Sequence, residues 1–270
     1  MAEVHSIDYE RRLRRQLRTF LAGRGPHRAV VSTLYDWKRK DWRPFLFGGL
    51  LRDILILGRR HGPRDVDVVI ENGSSEELAE ALHPYIKRRN RFGGFQLELS
   101  KWHFDVWPLH KTWAFVQNKG LIASPQNLPK TTFLNVEAIA VSLGENGEVG
   151  DIFEAGFFDA VRTKILDINL EDNPYPALAA VRALATAEKL RYSLSPRLGH
   201  YILDTEKDLG SEALVNAQDS HYGYVRFRRL TIQKLVRHVR RELSRSSVEP
   251  IRLHDPATRQ LSLWHLEESA

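Results

Sequence analysis

The sequence predicts an α+β fold, a mixed or antiparallel sheet with flanking helices, followed by a small all-α region. Three observations predict it. Stretches such as Asp65-Val66-Asp67-Val68-Val69-Ile70 alternate carboxylate and aliphatic residues with the two-residue period of a strand. Short segments of helical period are interleaved with these strands. After Asn173 the strand texture stops, and an alanine-rich, purely helical texture takes over.

The elements follow in order. Ile7, Tyr9, Leu13, Leu17 and Phe20 form one apolar stripe, so residues 7–23 read as a helix with arginines on its other face. A second helix is expected over 28–39. Trp42-Arg43-Pro44 breaks the pattern, and Phe45-Leu46-Phe47 reads as a short buried strand. Gly48-Gly49 follow at once, with a helix from Leu50 to Leu57 ending at Gly58. The strand 65–70 comes next. Ser74-Ser75-Glu76-Glu77, a serine cap with acids in the first turn, starts a helix expected to run to about Arg88. Segments 95–99 and 103–107 read as the two strands of a hairpin. The stretch 112–130 is irregular, and 136–143 reads as a buried strand or a helix–strand junction. Gly144 to Gly147 is a turn, 149–152 a returning strand, and 157–163 a short helix. Helices are expected over 174–190, 197–208, 211–219 and 225–245. The division is then 1–40 N-terminal helices, 41–170 a mixed domain, and 171–270 a helical domain.

Composition excludes some chemistries. With no cysteine in 270 residues, disulfides, thiolate metal sites and cysteine nucleophiles are out. No apolar run approaches the ~18 residues needed to span a bilayer, and no signal peptide is apparent, so the expected setting is the cytoplasm, without a membrane partner. A net charge of +6 favours polyanionic partners only slightly.

The carboxylates carry the chemistry. Residues i and i+2 of a strand share a face, so Asp65 and Asp67 can converge on one point. Asp105 sits in a later apolar strand, where a lone carboxylate is costly without a partner or a metal. On a neighbouring strand it would complete a three-carboxylate site. Such sites suit two-metal phosphoryl transfer, in which paired ions bind the attacking and leaving oxygens. Upstream, Gly48-Gly49 open a helix, where bare backbone and a helix N-terminus can receive a triphosphate. A diglycine alone is weak evidence. An Asp-x-Asp pair alone also occurs in metal-dependent glycosyltransferases and in solvated loops. The combination is far more specific.

Phe47-Gly48-Gly49-Leu50-Leu51-Arg52-Asp53-Ile54-Leu55, followed by Arg64-Asp65-Val66-Asp67-Val68-Val69, resembles the head domain of the tRNA CCA-adding enzyme and bacterial poly(A) polymerase family, within the polymerase-β-like nucleotidyltransferase superfamily. The likeness continues through Val136–Ala140, Gly150–Phe153, Gly156–Ala160 and Asp172–Ala183, and spans about residues 44–195. It implies metal binding and catalysis at Asp65, Asp67 and Asp105, with Asp105 activating the acceptor hydroxyl. It also implies nucleotide contacts at Gly48, Gly49, Arg52 and Arg182, although a salt bridge of Arg52 with Asp53 is an equal reading. Two Mg2+ ions, replaceable by Mn2+, would be the cofactors, and a nucleoside triphosphate, ATP or dATP by the resemblance, the donor.

Where that family carries an Arg-Arg-Asp triplet, this chain has Thr131-Thr132-Phe133. Pro176 and Ala179 stand where its neck helix has further arginines, leaving Arg182. The expectation is therefore a specialised, template-independent nucleotidyltransferase rather than an ordinary tRNA-maturing one. It would act on a nucleic-acid end or build an oligonucleotide. The other reading is a stand-alone toxin or antiviral-defence enzyme that modifies a protein, a tRNA or a small nucleotide. An inactive nucleotide-binding module is the least favoured, because both acids of the Asp65/Asp67 pair are present.

Residues 226–245 carry Arg226, Arg228, Arg229, Lys234, Arg237, Arg240, Arg241 and Arg245 around an apolar stripe. They can track an RNA or DNA acceptor backbone or form a solvated basic face. Arg11, Arg12, Arg14, Arg15 and Arg18 carry the same two readings with lower odds for nucleic acid. Trp102, Trp107 and Trp113 flank Asp105 and read as core more readily than as base-stacking platforms. His103 and His110 are poor matches for a magnesium site, where oxygen ligands are preferred.

Overall fold

The computed structural model describes residues 2–22, 42–58, 65–99, 102–117, 120–144 and 148–253. The chain divides into two compact units, residues 1–162 and 163–270.

In the first unit, helix α1 (Ala2–Leu21) precedes strand β1 (Arg43–Phe47) and helix α2 (Gly49–Ile56). Strand β2 (Asp65–Glu71) and helix α3 (Ser75–Leu82) follow, then the edge strand β3 (Ile86–Arg89) and the hairpin β4 (Phe95–Leu99)/β5 (Trp102–Pro108). A connecting segment with the short helix α4 (Trp113–Val116) leads to β6 (Ile139–Leu143), β7 (Val149–Glu154) and α5 (Phe157–Thr163). The seven strands form one sheet in the order β3-β4-β5-β2-β1-β6-β7. Every pairing is antiparallel except β2 with β5. The predicted α+β class and the 95–107 hairpin are both observed. The expected helix at 28–39 and the residue Arg64 lie outside the described residues.

One expectation is corrected. The helix starting at Ser74 ends at Leu82, not near Arg88. Its start is as read, with Ser74 and Glu77 forming a reciprocal capping box. Pro84 then forces a single 3-10 turn, His83–Tyr85, because it has no N–H for the helical ladder. Ile86–Arg89 extend instead and pair with β4. Their charged side chains suit an exposed sheet edge.

The two faces of the sheet are covered differently. One face packs Leu46, Val66, Val68, Ile70, Phe104, Val106, Ile139 and Val141 against Leu13 and Leu17 of α1, Leu51 and Leu55 of α2, and Leu78 and Leu82 of α3. These apolar side chains recur every second residue along each strand, so one phase of each strand forms the main core. The other face carries a smaller cluster of Phe45, Val69 and Ala140, covered by Leu109, Phe115 and Leu128 from the connecting segment. Beyond that cluster the same face carries acids.

The second unit is helical apart from a two-stranded parallel pair, β8 (Ile165–Leu166) with β9 (Ser193–Leu194). Helix α6 (Pro176–Leu190) buries Ala180, Val181, Ala183, Leu184 and Ala187. Helix α7 (Pro196–Tyr222) covers both segments read as separate helices. Gly210, at φ 80 and ψ 156, breaks it where the sequence pattern stops. Helix α8 (Arg229–Arg245) turns Ile232, Val236 and Val239 inward.

Candidate active site

In β2, Val66 and Val68 are fully buried in the main core, and the strand period turns Asp65 and Asp67 to the opposite face. In β5, Phe104 and Val106 are buried and His103 and Asp105 face the other way. The parallel register sets Asp65 opposite His103 and Asp67 opposite Asp105. Three acids from two separate stretches thus share one patch. Antiparallel β1 ends beside them, with Phe47 opposite Asp67.

The diglycine follows directly. Gly48 has φ 67 and ψ −124, a conformation that a side chain resists. A Cβ on Gly48 would lie 3.9 Å from Asp67 Oδ2, so the bend passes close to the carboxylate. The Gly48 N–H donates to Ile139 O at 3.0 Å, and its carbonyl accepts from Leu51 and Arg52 N–H, starting α2. Gly48 thus contributes its conformation and its bareness. The first-turn amides that a helix leaves without intrahelical acceptors begin at Gly49.

Electrostatics mark Asp105. Burial raises its pKa above the usual carboxylate value. A side-chain hydrogen bond from Gln96 opposes the rise, the charge of Asp65 adds to it, and His103 lowers it. Gln96 is Asp105's register partner on β4. Sequence reasoning passed over Gln96; the signal was its place in the same alternating phase as Glu98.

The donor set facing this patch is carboxylate oxygen, which suits a hard divalent cation such as Mg2+. Among the described residues no three His, Cys, Asp or Glu side chains stand close enough to enclose an ion by themselves. A site built around a polyphosphate differs from such a cage, because phosphate oxygens and water complete the coordination shell.

Arg52 lies 8% exposed, with its Nε 2.8 Å from Asp53 Oδ1 and its Nη1 2.5 Å from Glu137 Oε1. The salt bridge with Asp53 read from the sequence is present, and Glu137 is a second partner the sequence reading missed. A carboxylate inside Val136-Glu137-Ala138-Ile139 signalled it, since such a group needs a partner. The Glu137 backbone carbonyl also lies 3.8 Å from the position of a Cβ on Gly48. The buried cluster therefore supports the bend from below. Arg182 is exposed on α6, in the second unit.

The flanking aromatics mostly pack. Trp102 is buried and meets the ring of Phe20 edge-on. Trp107 meets Phe47 edge-on and donates its indole N–H to Thr112 Oγ1 at 3.0 Å. Trp113 is half-buried, and His110 is exposed.

No protein-family model and no curated protein matches the sequence. Solved structures do. A tRNA-processing enzyme in an apo form aligns at 19% identity over 89% of this chain and 65% of its own, with TM-score 0.57. A tRNA nucleotidyltransferase complexed with a primer tRNA and an incoming ATP analog aligns at 21% identity, over 78% of this chain and 61% of its own, with TM-score 0.54. The Thermotoga maritima CCA-adding enzyme complexed with tRNA aligns at 12% identity, over 85% and 53%, with TM-score 0.55. The chain spans between about half and two thirds of the length of these proteins. At these identities the likeness is one of architecture: this chain has the fold of the CCA-adding tRNA nucleotidyltransferases.

Proposed function

We propose that the chain is a divalent-metal-dependent, template-independent nucleotidyltransferase, which moves a nucleotidyl group from a nucleoside triphosphate to a hydroxyl acceptor and releases pyrophosphate. The observation that carries this reading is the register of Asp67 with Asp105 on β2 and β5, with Asp65 on the same face and the Gly48 bend against Asp67.

Asp65 and Asp67 would hold two divalent ions, with Asp105 as the third ligand and triphosphate oxygens and water completing the shells. Divalent cations bound there supply charge neutralisation on the triphosphate and on the attacking oxygen. Gly48 lets the backbone turn beside Asp67, and the first-turn amides of α2, from Gly49 on, donate to phosphate oxygens. Arg52, held by Asp53 and Glu137, fixes the first turn of α2 behind those amides. Asp105 receives the proton of the acceptor hydroxyl at a carboxylate oxygen. The family resemblance makes Arg182 a further candidate nucleotide contact.

The acceptor is a nucleic-acid end. The fold neighbours include proteins solved with CTP, with an ATP analog and with tRNA, and this chain has an arginine-rich helix in its second unit. The donor is ATP or dATP.

The test is a nucleotide panel. Each of the ribo- and deoxynucleoside triphosphates is incubated with Mg2+ and single-stranded RNA, single-stranded DNA, tRNA or no acceptor. Pyrophosphate release and product mass are read. Release with at least one triphosphate, absent in EDTA, is expected. Silence across the whole panel in Mg2+ and in Mn2+ overturns the reading.

A further inference from the structure

The second unit carries a surface that the transfer chemistry does not use. Helix α7 ends at Gly223, which sits at φ 71 with its N–H bonded to Asp219 O at 2.8 Å. Around that end, Tyr222 and Tyr224 are 40% and 59% exposed. Their ring centroids lie 5.7 Å apart, and His221 meets Tyr222 edge-on at 4.7 Å. Exposed rings on a loop are usually mobile, but here the backbone is fastened from below. Gln218 is fully buried and clamps Phe227 by both ends of its amide. Its Oε1 accepts from Phe227 N at 2.9 Å, and its Nε2 donates to Phe227 O at 3.0 Å and to Leu214 O. Arg226 is tied to Glu188 at 2.6 Å. The structure thus spends a buried polar side chain on holding a segment whose aromatics face outward.

Beside these rings begins α8, where the charge is one-sided. Arg228 is the N-cap and Arg229 the first residue, with no acid in the first turn. Cations at a helix N-terminus oppose the helix dipole, so this end favours an anion. Along the helix, Lys234, Arg237 and Arg241 share the exposed face that starts at Leu230, itself 71% exposed. At ~1.5 Å rise per residue that stripe is about 16 Å long. Arg241 meets Glu242, and Arg229 meets Glu212 only at 4.0 Å. Among the described residues, Arg228, Lys234, Arg237 and Arg240 have no acid within 4 Å.

Cations that can follow a phosphate backbone, joined to rings that can stack on bases, match an unpaired strand better than a duplex. In a duplex the base faces are already stacked and closed to Tyr222 and Tyr224. We infer that His221, Tyr222 and Tyr224, with the Lys234–Arg237–Arg241 stripe and Arg228 at the start of α8, form a binding surface for single-stranded nucleic acid, the tyrosines stacking on unpaired bases and the stripe following the phosphates. This inference rests on the nucleic-acid acceptor reading above and narrows it to an unpaired segment.

The experiment uses the full chain without triphosphate, in EDTA, and reads the fluorescence anisotropy of a labelled single-stranded RNA of about 12 nucleotides. A blunt duplex of the same sequence is the competitor. The single strand is expected to bind at least about tenfold more tightly than the duplex. The Tyr222→Ala/Tyr224→Ala double variant loses about tenfold or more for the single strand, whereas Tyr222→Phe/Tyr224→Phe keeps the wild-type affinity. Lys234→Ala/Arg237→Ala lowers the slope of log affinity against log salt by about 1.4, since each lost phosphate contact removes about 0.7. Equal binding of the duplex, or an unchanged affinity in the alanine pair, overturns the inference. The two readings fail separately. Tyrosine-dependent binding of the single strand by the wild-type chain, with the nucleotide panel silent for that same chain, removes the transferase and leaves this surface. Turnover with tyrosine-independent binding does the reverse.

Discussion

On one face of the β2–β5 pair lie Val66, Val68, Ile70, Phe104 and Val106, none more than 1% exposed. On the other lie Asp65, Asp67, His103 and Asp105, in register across the same two strands. The two sets alternate along the same backbone and differ only in phase. The apolar phase fixes the strands against α1, α2 and α3, and that packing is what holds the acidic phase in place. The acids need not stabilise the fold. Asp105 in particular is disfavoured as an anion by its burial and by the nearby charge of Asp65. Mutations in the two phases should therefore separate stability from activity.

The largest expected effect lies in the acidic phase. Asp67→Ala should lower turnover by about a thousandfold or more, through loss of several kcal/mol of transition-state stabilisation. Its melting temperature in EDTA should stay level or rise. Near-wild-type turnover in that variant would break the comparison. In the apolar phase Phe104→Ala should cost about 3–5 kcal/mol of unfolding free energy, read from urea denaturation, because it empties a fully enclosed site. The fraction still folded should keep its kcat. A Phe104→Ala protein of wild-type stability would show that the core lies elsewhere.

Glu137 tests the link between the phases. Glu137→Ala removes a carboxylate partner from the buried Arg52 guanidinium, and should cost about 3 kcal/mol in the same denaturation experiment. Glu137→Gln, which can still accept a hydrogen bond, should cost less. Equal losses in the two variants would mean that the charge of Glu137 matters and its volume does not, because glutamine keeps the volume and loses only the charge.

The smallest effect is the pH dependence of Asp105. Its folded-state pKa is raised, mainly by burial. Between the ordinary carboxylate value and the raised one, the folded chain binds more protons than the unfolded chain, so metal-free stability falls as pH rises through that window and stays lower above it. Asp105→Asn cannot ionise, so in EDTA at neutral pH its melting temperature should exceed the wild type's, with a gain within about 1 kcal/mol. The gain should vanish at acid pH. A stability advantage independent of pH would detach it from ionisation.

Several elements were legible because their signals are local. The Ser74/Glu77 cap, the two-residue period of β2 and the 95–107 hairpin depend on neighbours a few residues apart. The helix expected through Arg88 stops at Leu82 because Pro84 has no N–H to continue the ladder, and the pairing of Ile86–Arg89 with β4 cannot be seen locally. Arg52 shows the same limit. The adjacent acid, Asp53, was visible as a partner, while Glu137, far along the chain, was not.

The phase of each strand, and so which side chains could share a face, is written in the amino-acid order, because side chains alternate at every step of an extended backbone. That order also sets the diglycine bend, because only glycine takes the backbone of Gly48 without strain. Tertiary structure alone decided that β2 and β5 run parallel as neighbours, with Asp67 set against Asp105, and that β1 delivers Gly48 to the same point. Strand order and register are chosen by the joint burial of Val66, Val68, Phe104 and Val106 against helices from elsewhere in the chain, and no local window of sequence contains that sum.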